Sequence, residues 1–118
     1  MTAALQLQIL SGSTDGAPIC IARTSTLGNT IHTAVAGTGL TIDRVTAEVC
    51  NNDSISHLVT IEIGGGAQAN RHTVTIPANV GRFTVLDRHP LRNSLVVTMF
   101  ADTSSVLTVL GSALRGIP

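Results

Sequence analysis

The chain has 118 residues and no net formal charge, with seven arginines balancing seven carboxylates and no lysine, tryptophan or tyrosine. That balance leaves no basic face for nucleic acid and no acidic tail for a basic partner, and no apolar run reaches the roughly 18 residues of a membrane span. One domain over residues 1–118 is expected, large enough to form a core without staples.

Charged residues make up 12% of the chain against about 25% in an ordinary soluble domain. Sixteen threonines and nine serines replace them, giving a polar surface that is desolvated at lower cost than an ionic one, as protein contact requires.

In chain order, "MTAALQLQIL" lacks the charged start and long apolar segment of a secretory leader. Its second half, Leu5 to Leu10, opens a series of period-two runs rich in Val, Ile and Thr. Further strands are expected at Ala17 to Ala22, Thr30 to Ala36 and Leu40 to Cys50. A pair follows, in which Val59, Ile61 and Ile63 alternate with Leu58, Thr60 and Glu62, and His72, Val74 and Ile76 with Arg71, Thr73 and Thr75. Arg82 to Leu86, Ser94 to Ala101 and Val106 to Leu110 complete nine. Turn signals such as "SGSTDGAP", "CNNDS", "PANVG" and "DRHPLRN" separate them, and the best helical window is the short "SALRG". Short strands punctuated this regularly predict one antiparallel all-β sandwich or barrel.

"IGGGAQANR" raises the possibility of a phosphate cradle. Such cradles aim the free N–H groups of a helix N-terminus at the anion, whereas these glycines lead into a strand and lack both nucleotide fingerprints. A hairpin loop from Gly64 to Asn70 is the expectation. Cys20 and Cys50 each end an apolar run and are expected as buried, reduced thiols, with a Cys20–Cys50 disulfide as the alternative.

The remaining chemistry is sparse. His32, His57, His72, His89 and the cysteines show no spacing that fixes two metal ligands on one element, although His57 and His72 could face each other across the hairpin. Ser112 lacks the second glycine of a nucleophile elbow. Asp43, Glu48, Glu62 and Asp87 are expected as separate, solvated carboxylates. No catalytic residue, metal or cofactor is assigned.

Ser94 to Ala101 and Val106 to Leu110 are apolar on both faces, so both faces need covering, by a wrapped terminus or by another subunit. Val96, Phe100, Leu107 and Val109 are the candidate interface residues, and Arg88, His89 and Arg92 mark a candidate exposed polar loop over Asp87 to Asn93.

The segments "ILSGSTDGAPICIA", "TIHTAVAGT", "HLVTIEIGG", "VTIPANVG" and "NSLVVTMFADTSSVLTVLGSALRG" together resemble a family of small virion proteins of tailed bacteriophages. The resemblance spans nearly the whole chain, departing at Ile63 and Leu110, where aromatic residues are more usual. It implies a β-sandwich of jelly-roll type, made in the bacterial host cytoplasm and carried in the virion. Such a protein would form a homo-oligomer, with a trimer favoured at capsid local threefold positions, and bind the major capsid protein or another virion component. Head decoration, neck, tail and spike or fibre base are all compatible with it. The rivals are a glycan-binding sandwich using the Gly64 to Asn70 and Asp87 to Asn93 loops, and an enzyme built on a loop cluster of His and carboxylate.

Overall fold

The period-two runs become nine strands in the computed structural model, which describes residues 5–117. They are β1 (Gln6–Ile9), β2 (Ile19–Cys20), β3 (Asn29–Thr33), β4 (Ile42–Asn51), β5 (His57–Ile63), β6 (Arg71–Ile76), β7 (Phe83–Leu91), β8 (Val96–Ala101) and β9 (Leu107–Gly116). The first sheet has the order β1-β9-β4-β7, with β2 pairing β9 beyond β1, and the second has the order β3-β8-β5-β6. Every pairing is antiparallel.

From β3 onward the chain passes between the sheets at each connection except the β5–β6 hairpin. This order is consistent with a jelly roll. Alternate residues of each strand meet between the sheets: Val45 and Val49 of β4, Val59 and Ile61 of β5, Met99 of β8 and Val109 of β9 are all fully buried.

The β5–β6 hairpin follows the sequence expectation, with Glu62 opposite Arg71. Gly64 and Gly65 adopt φ of +80° and +141°, which a residue with a side chain rarely does. His57 and His72 do not face each other, because the register sets His57 against Ile76 and Ile61 against His72.

Two elements are longer than their apolar patterns. β7 runs through "DRHPL", correcting the loop expected there: Arg88 and His89 lie in the strand, His89 half-buried opposite Val45, and Arg92 lies immediately beyond it. The strand absorbs that polar segment through a bulge, where Arg88 takes φ +55° and its N–H bonds to Thr46 Oγ1 at 3.2 Å. Pro90 is tolerated because β7 is an edge strand. β9 continues through "SALRG", which is strand because its full length pairs with β4.

Candidate functional site

Three groups of polar side chains lie at the seams of the sandwich, and each holds a carboxylate that burial alone would disfavour. The first joins the "SGSTDG" turn to β3, β4 and β9. Arg115 clamps Asp43 through Nε and Nη2 at 2.7 and 2.9 Å, and His32 Nε2 meets Asp43 Oδ2 at 2.8 Å. The Ser11 N–H donates to His32 Nδ1 at 3.1 Å, so the ring proton lies on Nε2, facing Asp43. Burial pushes the Asp43 carboxyl upward, but the bonds from Arg115 and His32 outweigh it and hold the group below its ordinary value.

The second group is centred on His57 at the start of β5. Nε2 meets Asp53 at 2.7 Å and Nδ1 meets Asp102 at 2.8 Å, tying the β4–β5 and β8–β9 loops together. Bonding to Asp53, and then to Asp102, raises the imidazole above its ordinary value. The partners move the other way. His57 and the Ser54 N–H lower Asp53, while at Asp102 an upward push from burial is overcome by the Leu58 N–H and His57.

Glu62 is the centre of the third. It is fully buried on the outer face of the second sheet, beneath the β2–β3 loop. Oε1 accepts from the Gly28 N–H at 2.8 Å and the Thr98 hydroxyl at 2.7 Å, and the Thr26 hydroxyl donates to Oε2. Burial raises this carboxyl, but those donors, with Arg71 on the neighbouring strand, bring it below its ordinary value.

These placements correct the expectation of solvated acids, since Asp43 and Glu62 are fully buried. Both nitrogens of His32 and of His57 are occupied, which leaves neither ring free to activate a nucleophile. Among the described residues no three His, Cys, Asp or Glu side chains are grouped to hold a metal ion. Cys50 is buried and Cys20 exposed, so only one of the thiols is enclosed as expected, and both are free.

The candidate interface divides. Leu107 and Val109 are core residues of a central strand, fully buried, and this corrects their assignment to an interface. Val96 and Phe100 lie half-buried on the outer face of the second sheet, where Phe100 borders an open hollow of about 390 Å³ with Thr60, Arg71 and Thr73. A larger cleft of about 480 Å³ lies between the β2–β3 loop and Gly64, Gly65 and Leu95, with Arg23, Thr30, Ser94 and Thr98 supplying its polar groups.

An apolar exposed face lies at the β1 edge of the first sheet, and the sequence reading missed it. Directly opposed residues share a face, so Leu7 lies beside Leu114, and Ile9 beside Ser112. The Leu5 side chain covers Gly116, where an added Cβ would stand 2.5 Å from Leu5 Cδ2. Leu5, Leu7 and Ile9 are 52%, 71% and 56% exposed, while Leu110 and Leu114 of β9 are half-buried on the same face. The signal was the alternation L-Q-L-Q-I, which shows that β1 has an apolar face without showing that it points outward.

No protein-family model and no curated protein matches this chain.

Proposed function

We propose that the chain is a non-enzymatic structural protein of a bacteriophage virion that assembles in several copies and docks on the capsid surface. The observation that carries this reading is the outward apolar face of Leu5, Leu7, Ile9, Leu110 and Leu114. Clustered exposed apolar side chains of this kind on a sheet mark a surface for contact with another macromolecule. The resemblance of the "SGSTDG", "TIHTAV" and "TIEIGG" segments to small virion proteins names the setting, with the major capsid protein as partner. The polar groups support the same reading, because the buried acids and imidazoles brace loops against sheets.

Co-sedimentation with phage heads stripped of accessory proteins tests it. The parent chain should pellet with heads in a saturable manner, and Leu110→Asp should lose most of that binding while keeping its far-ultraviolet circular dichroism. Absence of parent binding, or full binding by a folded Leu110→Asp variant, would reject the reading.

The cleft of about 480 Å³ supports a second reading, a small polar ligand such as a glycan held by Arg23 and the Thr30, Ser94 and Thr98 hydroxyls. Saturable glycan binding that disappears in Arg23→Ala would favour it over capsid docking.

A further inference from the structure

Strands at the edges of a sheet leave a row of N–H and C=O groups without strand partners, and folded proteins guard such edges with charge, proline, bulges or a covering segment. Three of the four edges here are guarded. On β3 the Ser11–Gly12 turn covers the edge, with the Gly12 N–H bonded to Ile31 O at 3.0 Å and Ser11 Oγ accepting from the Thr33 N–H at 2.6 Å. β7 carries its bulge and Pro90, and β6 carries Arg71 and His72 and runs into Pro77. The edge formed by β1 has none of these along Gln6–Ile9: its register with β9 is unbroken, and it contains no charged residue, glycine or proline. Among the described residues β1 pairs on one side only.

The sequence of that edge is self-complementary. Leu5-Gln6-Leu7-Gln8-Ile9 reads the same in either direction as an apolar–polar alternation centred on Leu7. We infer that β1 pairs with β1 of a second copy, antiparallel across a twofold axis at Leu7. This inference rests on the assembly reading above and names its first contact.

In that register Leu7 stands beside Leu7 of the second copy, Leu5 beside Ile9 of the second copy, and Gln6 beside Gln8 of the second copy. All six apolar side chains then share one face, and the glutamines stack on the other. No charge opposes a like charge at the axis, because the nearest cation, Arg115 opposite Gln6, is already clamped to Asp43. The two five-stranded sheets join into one, and the apolar outer faces of both copies become continuous. An isologous contact of this kind closes at two copies.

Light scattering coupled to size exclusion, over a hundredfold concentration range, tests the pairing. The parent chain should reach the mass of a dimer. Leu7→Lys should weaken that dimer at least about tenfold by setting two ammonium groups opposite each other. Leu7 is 71% exposed in the single chain, so the variant keeps the fold, which circular dichroism verifies. Leu114→Lys, on the same face but one strand in from the edge, should leave the dimer intact. A third variant, Leu7→Cys in a Cys20→Ser background, should yield a covalent dimer under mild oxidation. A trimer would overturn the edge pairing while leaving the assembly reading in place, and so would a dimer indifferent to Leu7→Lys. A strict monomer would also overturn it, and head co-sedimentation would then decide the assembly reading separately.

Discussion

His57 illustrates how single side chains set the pH range of this molecule. Its raised imidazole contributes stability that is fully present below the ordinary value of 6.5 and is lost as pH climbs through the higher folded value. Asp53 and Asp102 act in the opposite sense: their contribution is present above the ordinary 3.8 and is lost as pH falls through the lower folded values. Thermal midpoints measured from acid to alkaline pH should therefore peak between these limits, and His57→Gln should remove the alkaline decline near and above pH 6.5. An unchanged alkaline decline in that variant would refute the assignment. Glu62→Gln keeps one acceptor oxygen for the Gly28 N–H and the Thr98 hydroxyl and turns the Thr26 hydroxyl from donor to acceptor, but it replaces charge-assisted bonds with neutral ones and should cost about 1–3 kcal/mol in denaturant unfolding.

Among the elements, those read most directly from sequence were the ones with a strict apolar alternation and a turn made by glycine. The β5–β6 hairpin belongs to that class, since period two and positive φ are local properties. β7 and β9 were truncated because their outer halves carry polar residues, and pairing with β4, which no local pattern encodes, keeps them extended. The same blindness hid Glu62 and Asp43. An acid at period two reads as solvated until a loop or an arginine from a distant strand closes over it. Leu107 and Val109 were misassigned because a strand apolar on both faces does not reveal which face meets the core. Substitutions at two positions probe these elements. Arg88→Val at the β7 bulge should cost about 1–2 kcal/mol because its φ is +55°, whereas Arg88→Gly should stay within about 1 kcal/mol of the parent. Gly28→Ala should be worse than either Arg88 change, since its Cβ would stand 2.1 Å from the Met99 carbonyl oxygen and force the β2–β3 loop away from β8.

As a whole the molecule has no charge surplus and a low share of charged residues, so its contacts should obey apolar rather than ionic rules. Association with heads or with a second copy should be nearly unchanged from about 0.05 to 0.5 M sodium chloride, over which ionic contacts are screened. Ammonium sulfate should strengthen it, because excluded salts favour apolar burial. A steep loss of association with sodium chloride would instead point to Arg44, Arg82 or another surface arginine as the contact. Continuity of the two outer faces would also make a dimer a broader apolar platform than a single chain offers, so dimer formation and head docking should reinforce each other.

The position of β9 in the first sheet has a consequence for how a ribosome delivers this fold. β9 alone joins β1 and β2 to β4, yet it is the last of the nine strands to be translated. Until it emerges, the first sheet has no centre, and Ile19, Val45 and Val49 lack the strand they pack beside. Closure therefore waits for β9 to leave the ribosome, and the unguarded Leu5, Leu7 and Ile9 spend that interval among other nascent copies on the same messenger. Slow translation of the final strand would lengthen their exposure, and crowded polysomes would be where mispaired aggregates begin.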